Sequence, residues 1–146
     1  MSKKILKLDF EQEYDFLLIA VLCGFRDYRF VFELNETLGI NLCRMDDIVL
    51  PAGKPGSSTR HSHFIAEGND QETYHVISNR DKAGTGFYIP ELKNIDYFIL
   101  ISGAYSGIDA ADFIKLVRSI ELVSGAYEAD PFELKSAEAF LLLTEN

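Results

Sequence analysis

Tyr97-Phe98-Ile99-Leu100-Ile101 is the longest unbroken run of large strand-forming residues in the chain. Short and bounded by turn residues, it predicts a strand covered on both faces, and so the middle of a sheet. Pro90 has no N–H and biases Ile89 toward extended backbone, so the chain should reach this strand through a fixed bend. Leu6, Leu8 and Phe10 alternate with Lys7 and Asp9, the period of a half-buried strand near a sheet edge. Phe16 to Val21 is continuously apolar and reads as the next strand, with a helix as the alternative.

From Asp27 the period changes. Tyr28, Val31, Phe32, Asn35 and Leu38 fall at helical spacing, with Asp27 as N-cap and Gly39 where a left-handed C-cap belongs. Leu42 to Leu50 reads as a weak strand and Pro51 to Ser62, with two prolines and two glycines, as a mobile loop. His63 to Glu67 and Thr73 to Ser78 form a hairpin around Gly68 to Gln71, and a second glycine-bearing loop, Asn79 to Gly86, leads toward the central strand. Beyond that strand, Asp109 and Asp112 precede a helix over about 109–120, whose stripe is Phe113, Leu116, Val117 and Ile120. Val123 and Tyr127 belong to a following strand. Asp130-Pro131 opens a last short helix, and Phe140 to Leu143 is an apolar tail that should dock on the body. This order predicts an α+β fold: an antiparallel-dominated sheet with two main helices, and a ferredoxin-like βαββαβ core with added strands as first choice.

Composition narrows the function classes. With 146 residues, 47% of them hydrophobic, the chain suits one domain over 1–146 with one core. A formal charge of −9 argues against general nucleic-acid binding, which needs concentrated Lys and Arg. The start, MSKKILKLDFEQ, lacks the apolar region of a signal peptide, and Phe16 to Cys23 falls well short of the ~20 residues that span a bilayer. A soluble, cytoplasmic protein without a membrane partner is expected. Cys23 and Cys43 show no paired spacing and read as reduced core residues; no cofactor is implied.

Four constellations could carry chemistry. His61 and His63 share a strand face, and a third ligand such as His75 would join them only in one hairpin register. A four-residue loop sets His63 opposite Val76 and sends His75 away, whereas a one-residue slip brings them together. A lone HxH is a weak signal, so no metal site is assigned. Lys54, Arg60, His61, Arg80 and Lys82 sit in the loops bracketing the hairpin and could converge into a basic patch for a phosphate or an acidic partner. Pro55 after Gly53-Lys54 excludes a P-loop. Glu91, Asp96 and Glu128 could form a carboxylate cluster if their strands are neighbours, or serve as structural acceptors and ion-pair partners. Finally, seven tyrosines with no tryptophan leave some to furnish a docking surface near Pro90.

Ile89-Pro90-Glu91, three further residues and Ile95-Asp96-Tyr97 resemble the signature of the bacterial IPExxxVDY family, with Ile95 in place of the valine. The resemblance extends through Asp27-Tyr28-Arg29, Leu34-Asn35, Ala126-Tyr127-Glu128 and Asp130-Pro131. It implies a small cytoplasmic bacterial protein and supplies no catalytic residues. Three roles follow in order of rank. The first is a non-enzymatic interaction or regulatory module, docking an unidentified protein through Tyr88, Pro90, Glu91 and Asp96. The second is a small-ligand-binding regulatory domain, with Lys54, Arg60 and Arg80 taking acidic groups, and homo-oligomerisation is open. The third is an enzyme using the carboxylates or a histidine-bound metal.

Overall fold

The computed structural model describes residues 14–103, 105 and 107–144; the strand predicted over Leu6 to Phe10 lies outside them. In chain order the elements are β1 (Leu17–Leu22), α1 (Asp27–Leu38), β2 (Cys43–Arg44), β3 (Ile48–Pro51), β4 (Ser58–His61), β5 (His63–Glu67) and β6 (Glu72–Ser78). Then follow β7 (Tyr97–Gly103), α2 (Ala110–Arg118), β8 (Gly125–Glu128), a 3-10 turn at Pro131–Glu133 and α3 (Glu138–Thr144). Six strands form one antiparallel sheet in the order β2-β5-β6-β7-β1-β8, and β3 pairs only with β4.

The apolar run is β7, an interior strand between β6 and β1. Every residue from Tyr97 to Ile101 is buried, because both faces of the sheet are covered. On one face Ile19, Val76 and Ile99 pack with Phe30, Val31 and Leu34 of α1 and with Phe113 and Val117 of α2. On the other, Leu18, Ile77, Phe98 and Leu100 lie with Tyr88, Ile89 and Ile95 and with Phe140 of α3. Ile99 is 1% exposed, so Ile99→Ala should cost about 3 kcal/mol in urea denaturation through a lost transfer term and a cavity. A loss below ~0.5 kcal/mol, the scale of a surface change, would contradict its place in the core.

Strands β8-β1-β7-β6, with α1 and α2 on one face, reproduce the strand order and helix placement expected of a βαββαβ core, with β2 to β5 added between α1 and β6. Both helix ends with the strongest signals are as expected. Gly39 is left-handed at φ 68° with its N–H on the Asn35 carbonyl, and the Asp109 carboxylate accepts the Asp112 N–H at 3.0 Å. Phe140 is fully buried, so the apolar tail does dock, as a helix.

Other expectations are corrected. Asp27 is the first helical residue rather than the cap: Arg26 holds the extended cap position without a side-chain bond, and Asp27 accepts the N–H of Tyr28. Leu116 is exposed, because the buried line of α2 and its exit is Phe113, Val117 and Ile120. Leu42 to Leu50 divides into two short strands, and Pro51 to Ser62 is largely the β3–β4 hairpin rather than a loop. Pro51 is tolerated there because a two-stranded ribbon leaves its outer edge unpaired, where no N–H is needed. Val123 precedes β8, with its N–H in the turn to Ile120. Cys23 is buried as expected, but Cys43 is exposed.

Candidate functional site

Asn79, fully buried at the end of β6, organises the whole approach to β7. Its amide nitrogen donates to the carbonyls of Leu92 (2.8 Å) and Ile95 (2.9 Å), and its side-chain oxygen accepts the Ile89 N–H (2.8 Å). The segment from Tyr88 to Ile95 is thereby folded as a plug, with Ile89 and Ile95 inserted in the core and Pro90 on the outer turn. Glu91 turns toward α3 and accepts both the Ser136 N–H (2.8 Å) and hydroxyl (2.9 Å). Burial pushes the Glu91 pKa up, but those bonds outweigh it and hold the carboxyl below its ordinary value. Asp96 accepts the Cys23 N–H at 2.8 Å and pairs with Arg80 at 3.0 Å.

These contacts redistribute the residues placed on a partner surface. Tyr88 is only 1% exposed, its hydroxyl donating to the Ala139 carbonyl. The structure therefore buries it rather than presenting it, because α3 closes over the sheet face where Tyr88 lies. Glu91 and Asp96 are held in bonds within the chain. The carboxylate cluster does not form: β1 lies between β7 and β8, which places Glu128 opposite Ile19 on the far side of that strand.

Beside the plug opens a cleft of about 830 Å3, between the β3–β4 hairpin and the Tyr88 to Lys93 segment. Leu50, Pro51, Phe87, Pro90 and Ala139 contribute apolar wall, and Lys54 and Lys93 also line it. Neither lysine has an ion-pair partner among the described residues. Sequence reasoning placed Lys54 with the other loop cations; the hairpin instead carries it to this cleft. Lys93 was missed, and only its position three residues after Pro90 could have signalled it.

The remaining cations do converge. Asp47 accepts from Arg44 at 2.7 Å and lies 3.2 Å from Lys82 and 3.8 Å from Arg60. Burial raises the Asp47 pKa, and the hydrogen bonds and charges of Arg44 and Lys82 more than reverse this. Of the expected patch, Arg60 and Lys82 meet at Asp47, while Arg80 pairs with Asp96.

The histidines follow the alternative hairpin register. Glu67 faces Thr73, His63 faces Ile77, and Ile65 faces His75, so His63 and His75 share a sheet face. Gln71 at φ 71° adds a left-handed residue to the turn, as in three-residue hairpin loops. This register keeps Glu67 and Glu72 from standing opposite each other; the Glu72 carboxylate instead accepts the Asp70 N–H and the Tyr74 hydroxyl. The two rings stack 5.3 Å apart with a 3.0 Å hydrogen bond. Burial pushes both pKa values down to about 4. His61 points elsewhere, bonded to the Ser78 carbonyl and the Thr59 hydroxyl. Among the described residues no group of three metal-ligating side chains forms.

No family model, curated protein or solved structure matches the chain. No helix among the described residues is long and apolar enough to cross a membrane.

Proposed function

We propose that the protein is a small non-enzymatic regulatory protein that binds a small ligand, with an apolar body and an anionic group, in the cleft between the β3–β4 hairpin and the Tyr88 to Lys93 segment. Cytoplasmic placement and membership of the bacterial family that it resembles belong to the same proposal. The observation that carries the reading is the pair of unpaired lysines on an apolar-walled cleft of ligand size. At about 830 Å3 the cleft lies within the ~300–1,000 Å3 typical of small-molecule sites. In a chain of formal charge −9, a cleft whose lining holds two lysines and no carboxylate favours an anion.

This reading moves ahead of the protein-docking one because Tyr88 is interior and Glu91 and Asp96 are spent on internal bonds. An enzyme built on the carboxylates has less support, since Glu91, Asp96 and Glu128 occupy separate places.

A thermal-shift screen of aliphatic and aromatic carboxylates tests the proposal. A ligand at 100 times its Kd should add about 2.7 kcal/mol of stability. Lys54→Ala combined with Lys93→Ala should weaken that ligand about tenfold or more, as expected for lost charge-assisted contacts. The fold should be unaffected, because neither side chain is tied into it. Silence across the panel, or full affinity in the double variant, would sink the small-ligand reading and return the interaction module to first place.

A further inference from the structure

A second hollow, of about 410 Å3, lies where β6 ends and β7 begins, lined by Arg26, Arg44, Arg80, Lys82 and Ser62 among others. These cations come from three separate places in the sequence: the loop after β1, β2 and the loop after β6. We propose that this hollow is an anion site for the phosphate group of a small phosphate monoester.

Charge accounting supports an anion here. Asp47 is the shared counter-ion of Arg44, Arg60 and Lys82, and Asp27 is a second partner of Arg44, so these three cations face two carboxylates and one positive charge is left over. Arg26 has no ion pair among the described residues. The acids that also line the hollow are already engaged. Asp81 holds the Arg60 N–H at 2.8 Å and the Thr85 hydroxyl at 2.7 Å, and Asp27 holds the Tyr28 N–H at 2.7 Å and pairs with Arg44 at 3.7 Å. Arg80 is paired with Asp96 through Nε, which leaves its terminal nitrogens to donate.

An independent observation points the same way. Ser62 is 2% exposed and lines the hollow, yet its hydroxyl has no hydrogen-bond partner among the described residues. A buried hydroxyl without a partner is costly, and a ligand oxygen would satisfy it. Guanidinium forks and a hydroxyl match the several acceptor oxygens of a phosphate better than the two of a carboxylate. A long nucleic acid is disfavoured by the charge of the rest of the chain, whereas a compact ester meets only the local field.

Calorimetric titration with glycerol 3-phosphate decides the matter, with sulfate and chloride at matched ionic strength as controls. Saturable binding of the ester is expected, weakened about tenfold by Arg26→Ala and again by Lys82→Ala, in keeping with lost charge-assisted bonds. Arg26→Ala should keep the wild-type melting temperature, because that side chain makes no ion pair to lose. Lys54→Ala should leave ester binding unchanged, which separates this site from the lysine-lined cleft. No saturation beyond the sulfate control, or wild-type affinity in both the Arg26→Ala and the Lys82→Ala proteins, would overturn the proposal.

Discussion

Lowering the pH from 7 to 5 should destabilise the protein by roughly 3–4 kcal/mol through His63 and His75. Both are buried, at 8% and 4% exposure, and both are held neutral, with pKa values of about 4 against an ordinary 6.5. The unfolded chain takes up protons below about pH 6.5 while the folded one resists until about pH 4. The penalty is therefore absent above that window and grows as pH falls through it, at about 2 kcal/mol per ring by pH 5. Neither ring has a carboxylate partner among the described residues, so protonation gains no compensating anion. His61, also lowered by burial, acts in the same direction. The depressed carboxyls of Asp47, Asp81 and Glu91 lose their contributions further down the acid range. Urea denaturation at pH 7 and pH 5 measures the slope, and His63→Leu with His75→Leu should remove most of it. A double variant that keeps the wild-type slope would refute the assignment.

The elements that sequence reasoning placed well are those whose signal is local. Five large apolar residues in a row can only be β7 if both faces are covered, and the spacing of Phe113, Val117 and Ile120 needs one helix face. Gly39 and Asp109 act on their own helix ends, so they too were legible. The hairpin register was not, because it turns on one backbone choice: a left-handed Gln71, a conformation that side chains other than Gly, Asn and Asp seldom take. Pro51 to Ser62 has loop composition, yet a two-stranded ribbon with free edges tolerates its proline. The clefts were the least legible part. Lys54 and Lys93 are 39 positions apart, and Arg26 meets Lys82 only after the sheet assembles. The spacing of Arg44 and Asp47, an i,i+3 ion pair, was the one local trace of the cation cluster. Whether Glu128 meets Glu91 and Asp96 was not legible either, because it turns on β1, far away in sequence, entering the sheet between β7 and β8.

Asn79→Ala should be the more damaging of the single changes, at about 4–6 kcal/mol, since it strips partners from three polar groups, each costing ~1–3 kcal/mol when buried and unsatisfied. Two of these are the carbonyls of Leu92 and Ile95, and the third is the Ile89 N–H. A neutral group that donates twice and accepts once is what a side-chain amide supplies, and alanine offers none of it. Asn79→Asp should be no better: it keeps the acceptor for Ile89 but turns an oxygen toward two carbonyl oxygens. The backbone of Asn79 adds to the same knot, its N–H on the Asp96 carbonyl and its carbonyl accepting from Tyr88. Because these bonds fold the Tyr88 to Ile95 plug that walls the 830 Å3 cleft, their loss should release that segment before the sheet unfolds. Hydrogen exchange reads this directly: the Ile89 and Ile95 amides should lose protection in Asn79→Ala while those of Ile99 and Leu100 keep theirs. Denaturation within ~1 kcal/mol of wild type, with the Ile89 amide still protected, would show that the plug is held by apolar packing and not by Asn79.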